Sequence, residues 1–289
     1  MVVLVNKKEK SKIKLVKKSF TGELYDSNII LSQIPLIHRT WINEDKIGDF
    51  GPLLDRLEEH LTLKQLRLVY RNLTRVKLKK FNMINSLHLN GYYDVVKSEF
   101  FYKNNCVKCH EFLHLASSFH DFINNISYSG LSQWDSKGRI GIGLDEGYTE
   151  LLNERFFSDT FYVDAYIDEV NIVRMLELFF DDYKDMMNYY FECDLPGFIR
   201  YFERFISREE FIKLLLEIDK FSFCAMYDLP FCNSQLVNIY IKIYNLFLST
   251  NPSFEKIKRM EQIIHDEEDI GILFEKKQRK LIKKEMVKH

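Results

Sequence analysis

Leucines recur at spacings of three and four through residues 53–73, LLDRLEEHLTLKQLRLVYRNL, which aligns them as one stripe along a helical surface. Within that run Thr62 is followed three residues later by Gln65, the pattern of a capping box, so the stripe divides into two helices with the second opening after Thr62. Residues 92–102, YYDVVKSEFFY, are dense in aromatic and β-branched side chains and follow Asn90-Gly91, a turn signal; they predict a strand. The period returns to that of a helix from His110 to about Ile126. Residues 126–144, ISYSGLSQWDSKGRIGIGL, are punctuated by glycine and partly alternate, which fits a loop or a hairpin. From Glu146 onward the pattern is helical almost to the end, broken near Pro196, Pro230 and Pro252, with an apolar face through Ile172, Leu176, Leu178 and Phe179. The shift from mixed pattern to nearly continuous helix divides the chain into residues 1–158, holding a small mixed sheet, and a helical part, 159–289. The expected class is α+β.

Composition adds the setting. With 46% hydrophobic and 29% charged residues among 289, the chain can bury a sizeable core. A formal charge of -1 gives no overall attraction to nucleic acid. The basic ends, Lys7, Lys8, Lys10, Lys12, Lys14, Lys17 and Lys18 at the start and Lys276 to Lys288 at the finish, read as solvated faces or tails. No apolar run reaches the length that spans a bilayer, and the basic start lacks the apolar stretch and cleavage site of a secretory signal. Five cysteines, Cys106, Cys109, Cys193, Cys224 and Cys232, sit in apolar or helical patterns; they suggest a reducing, cytoplasmic location, with the last three as buried thiols.

The chemistry concentrates in CVKCHEFLH, residues 106–114, where two metal-associated patterns share His110. Read from the left it is C-x-x-C-H, which attaches c-type haem, but that attachment takes place outside the cytosol and no export signal is present. Read from the right it is H-E-x-x-H. On a helix His110 and His114 stand one turn apart and face one way, so two imidazoles can converge on one zinc ion, while Glu111 is placed to act as general base on a water beside it. The plainer alternative is a pair of half-buried histidines on an amphipathic helix. A catalytic zinc needs a third protein ligand. His120, ten residues after His110, has the metzincin spacing, yet Ser117 stands where those enzymes use glycine to turn the chain out of the helix. Glu146, 32 residues after His114, is the other candidate.

The segment GLDEGYTELL, residues 143–152, together with HEFLH, resembles the paired helices of gluzincin metallopeptidases, the clan of thermolysin and the zinc aminopeptidases. The resemblance covers about 45 residues and implies a zincin-like fold, one Zn2+ per chain held by His110, His114 and Glu146, and Glu111 as catalytic base. It makes Glu150, one turn after Glu146, the carboxylate that supports a histidine ligand, and Asp145 a helix-start residue. It places residues 92–102 where an edge strand pairs with extended substrate. A Tyr or His donor that stabilises the transition state is expected near the zinc; Tyr148, Tyr128, Tyr162 and His120 all qualify, and the sequence does not choose among them. The expected partner is a peptide or protein substrate. No G-x-M-E-N motif is present to suggest amino-terminal trimming, and a regulatory protein on the same scaffold is the competing expectation.

Overall fold

The computed structural model describes residues 42, 44–79, 91–161, 166–226, 232–266 and 268–286. The break expected at Pro230 lies outside them. Two helices open the described chain, α1 (Glu44–Glu58) and α2 (Leu63–Arg75). The Thr62 side chain accepts from the Gln65 amide and the Gln65 side chain accepts from the Thr62 amide, so the expected capping box starts α2. Strand β1 (Lys77–Leu78) follows, then β2 (Gly91–Asp94) and β3 (Glu99–Tyr102), helix α3 (Asn105–Ala116), and strands β4 (Ser118–Asp121), β5 (Ile126–Ser129), β6 (Ser132–Asp135) and β7 (Gly138–Ile140). The remainder is helical: α4 (Ile142–Phe161), α5 (Ile167–Glu177), α6 (Tyr183–Phe191), α7 (Leu195–Phe202), α8 (Arg208–Met226), α9 (Cys232–Leu248), α10 (Phe254–His265) and α11 (Glu268–Met286). The chain is thus α+β, with one three-stranded sheet ordered β1-β3-β2 and one four-stranded sheet ordered β4-β5-β6-β7 among the described residues.

Two local expectations are corrected. Residues 92–102 form an antiparallel hairpin instead of one strand, with Tyr92 opposite Phe101 and Tyr93 opposite Phe100. The cause lies in the turn: Asp94 Oδ1 accepts from the amides of Val96 at 3.0 Å and Lys97 at 2.9 Å, and Ser98 takes a left-handed backbone with φ 54°. The helix read through Ile126 stops at Ala116, ten residues early, and the chain then enters strands β4 and β5. Buried Asn72 on α2 donates from Nδ2 to the carbonyls of Leu115 and Ser118, each at 2.7 Å, and Ser117 Oγ takes the Leu113 carbonyl at 2.8 Å. The Leu113 carbonyl is thus held by its own C-cap residue and the Leu115 carbonyl by a side chain from outside the helix, which supports a helix end here. Asn72→Ala removes a side-chain donor from two buried carbonyls, those of Leu115 and Ser118. The variant should lose about 1–3 kcal/mol of stability. Urea unfolding measures this; an unchanged midpoint would show that water replaces the amide.

By contacts the chain divides into two compact units, Met1–His120 with Phe156–Val163, and Asp121–Arg155 with Asp164–His289. In the first, Phe50, Phe100 and Phe112 are fully or almost fully buried, and Phe50 meets Phe100 at 5.0 Å edge-on and Phe112 at 5.4 Å stacked. That cluster joins α1, β3 and α3 and fixes the roll of α3 about its axis. In the second, Phe202 stacks on Phe211 at 4.4 Å and Phe180 on Tyr201 at 4.2 Å, tying α7 to α8 and to the segment after α5. Pro196 stands in the first turn of α7, where its missing N–H costs nothing, and Pro252 lies between α9 and α10.

Candidate metal centre

Helix α3 presents the H-E-x-x-H residues from the turn that its N-cap sets. Asn104 caps it by accepting from the Val107 amide at 3.0 Å. Cys109, Phe112, Leu113 and Ala116 are fully buried, whereas His110, Glu111 and His114 keep only 8 to 9% exposure. Cys109 is buried in this core and Cys193 is buried in the second unit, neither in a disulfide; Cys224, expected to be buried, is half-buried on α8, and the side chain of Cys232 lies outside the described residues. His110 and His114 turn their Nε2 atoms towards one another at 3.1 Å, with the rings 72° apart. A tetrahedral zinc with bonds of about 2.0–2.1 Å sets two ligand nitrogens about 3.3 Å apart, so the imidazoles need to open only a few tenths of an ångström.

Helix α4 carries the second half of the motif, and two tertiary contacts fix it. Its first turn is capped from α8: Asp219 accepts from the Gly141 amide at 2.8 Å and the Gly143 amide at 3.0 Å. The helix therefore begins at Ile142, before Asp145, and the helix-start role expected of Asp145 belongs to Asp219. Asp145 instead is fully buried and accepts from the Leu131 amide at 3.0 Å and the Ser132 hydroxyl at 3.1 Å, which locks the β5–β6 turn against α4. The second contact is at Gly147, where an added Cβ would lie 2.5 Å from the Glu169 carbonyl oxygen; only glycine lets the start of α5 approach this closely. Burial pushes the Asp219 carboxyl above the ordinary aspartate value of 3.8, against the pull of the backbone amides. The folded state thus holds this proton more tightly than the unfolded chain does, and falling pH favours folding at this position down towards that ordinary value. Wild type should accordingly gain stability relative to Asp219→Asn as pH falls from about 7 to about 4. Urea midpoints across that range provide the test, and a wild type that loses ground would mean that the amides hold Asp219 as the anion.

The ligand atoms of His110, His114 and Glu146 all lie within 4.8 Å of one another, the one group of three or more such side chains among the described residues that could hold a metal ion. Two imidazoles and one carboxylate are a donor set suited to zinc, three of the four ligands of a tetrahedral site. His120 lies in β4 and is not a member of the group. Glu150 is buried on α4, both its oxygens 3.3 Å from Asn153 Nδ2. Tyr148 stands on the other side of α4 from Glu146 and Glu150; it is fully buried, its hydroxyl lies 3.3 Å from Glu177, and burial raises its pKa well above the ordinary tyrosine value. Two positions apart on a helix diverge by about 200°, which is why Glu146 and Tyr148 part company. Tyr128 is half-buried in β5, its pKa raised first by burial and then by Asp121 and Cys193, and Tyr162 lies outside the described residues.

Sequence reading missed Asp219, and it missed Glu169, a buried carboxylate whose pKa is raised first by burial and also by the charge of Glu146, while Ser222 opposes the shift by hydrogen bonding. Both act across long sequence separations, and no local pattern marks either. Compared with protein-family models, curated proteins and solved structures, the chain matches none. No described helix is long and apolar enough to cross a membrane.

Proposed function

We propose that the chain is a zinc-dependent peptidase of gluzincin type, hydrolysing peptide bonds with Glu111 as general base. The observation that carries this reading is the convergence of His110, His114 and Glu146, three residues whose ligand atoms meet within 4.8 Å although Glu146 is separated from the histidines by a four-stranded meander. An accidental H-E-x-x-H has no reason to gather a carboxylate from that distance.

His110, His114 and Glu146 would hold the zinc, which when bound supplies a Lewis acid that lowers the pKa of water and polarises a carbonyl. Glu111, next to His110 on α3 and almost wholly removed from solvent, takes a proton from the attacking water and returns it to the departing amine. Glu150, which accepts from Asn153, would serve as the carboxylate partner of a ligand histidine. β2 is an edge strand among the described residues and packs against α3, so its open edge offers backbone groups to an extended peptide beside the site.

Metal analysis of protein purified without added zinc, joined to hydrolysis of a mixed peptide library with and without 1,10-phenanthroline, tests the proposal. About one zinc per chain and chelator-sensitive cleavage are expected. Bound zinc with no cleavage would move the non-catalytic, regulatory reading ahead, and absence of metal would end both.

A further inference from the structure

Glu111 is held by an unusual neighbour. A Cβ built on Gly91, the first residue of β2, would lie 2.4 Å from Val107 Cγ1, 2.9 Å from Glu111 Cγ and 3.1 Å from Glu111 Oε1. Gly91 pairs with Tyr102 in the β2–β3 hairpin, so its backbone is fixed by a strand and cannot drift to make room. The approach is one of contact between an α-carbon and a carboxylate, and any larger residue would occupy the volume the Glu111 side chain fills. No positive φ is recorded for Gly91, so backbone conformation alone does not demand glycine here. What demands it is the space taken by Val107 and Glu111.

We infer that Gly91 is a positioning residue for the general base: it forms one wall of a slot on α3 that sets where the Glu111 carboxylate rests. The inference rests on the proposed hydrolytic role of Glu111. It explains why an Asn-Gly pair precedes the aromatic hairpin, where the sequence by itself signals only a turn. Val107 and Glu111 stand one turn apart on the same face of α3, and Gly91 of β2 lies over both. Of the atoms crowded, Val107 can yield by rotating and Glu111 by swinging its carboxylate away. The three atoms nearest an added methyl belong to Val107 and Glu111, not to His110 or His114, so the base yields before the histidines do.

Gly91→Ala tests this in the full chain. The expected result is unchanged zinc stoichiometry, a kcat lower by about 10²-fold with KM little altered, and a crystal structure in which the Glu111 carboxylate has moved by about 1 Å while both histidines have not, since a misplacement of that size costs that much in rate. Two further variants separate positioning from mere damage to the fold. Gly91→Ala with Val107→Ala removes the 2.4 Å collision and leaves those with Glu111, so it should stay impaired; full recovery would assign the effect to Val107 and overturn the inference. Gly91→Ala combined with Glu111→Gln should be no slower than Glu111→Gln alone, because the first change acts through the second; additive losses would overturn it. Failure of the peptidase reading is distinct: wild type would then bind zinc and cleave nothing, and the crystallographic position of Glu111 in Gly91→Ala would decide the positioning claim by itself, with an unmoved carboxylate ending it.

Discussion

Alanine at His110, His114 or Glu146 should cost zinc affinity by about 10²- to 10⁴-fold, which at the concentrations of a metal analysis reads as loss of stoichiometric binding. The magnitude follows from sharing about 10–16 kcal/mol of zinc binding free energy among three or four ligands, so each contributes on the order of 3–5 kcal/mol. His110 and His114 are already opposed at 3.1 Å, and the helix does not need to reorganise to bind. Removing one therefore leaves a half-site with no local substitute. Glu146→Ala is the more informative variant, since it tests a residue brought to the group only by tertiary structure. His120→Ala should leave stoichiometry intact, and Glu150→Ala should cost nearer 10- to 100-fold, the usual loss for a group that orients a ligand. Titration of these variants, shown folded by circular dichroism, gives the result. Zinc lost on His120→Ala and kept on Glu146→Ala would reverse the assignment of the third ligand.

Glu111→Gln should keep both zinc and fold while peptide hydrolysis falls by about 10²- to 10⁴-fold, the range a general base contributes. The amide has nearly the volume of the carboxylate and preserves the contact with Gly91, but it cannot accept a proton from water. Loss should appear in kcat with little change in KM, because the group acts on the transition state more than on substrate binding. Equal activity in wild type and variant would remove Glu111 from the mechanism. Zinc loss in the variant would instead make it a ligand.

What the sequence determined is what neighbouring residues determine for one another. The i, i+4 spacing of His110 and His114 places two imidazoles on one face of any helix, and the Thr62–Gln65 box starts α2, because both depend on contacts within one turn. The glycine-punctuated run at 126–144 became the β5–β6–β7 meander for the same reason. The helix limits at Ala116 and Ile142 were not legible, since Asn72 takes carbonyls 43 and 46 residues away and Asp219 caps amides 78 and 76 residues away. Nor was the orientation of Tyr148, whose sequence position suits a donor but whose ring follows the opposite side of α4 into the core beside Tyr190. The candidate third ligand stands between these cases: the resemblance carried by GLDEGYTELL suggested the role of Glu146, and the sequence could not say that its carboxylate lies within 4.8 Å of the ligand atoms of two histidines. Local pattern fixes the direction in which a side chain leaves its own helix; only the packing of distant segments decides what it meets there.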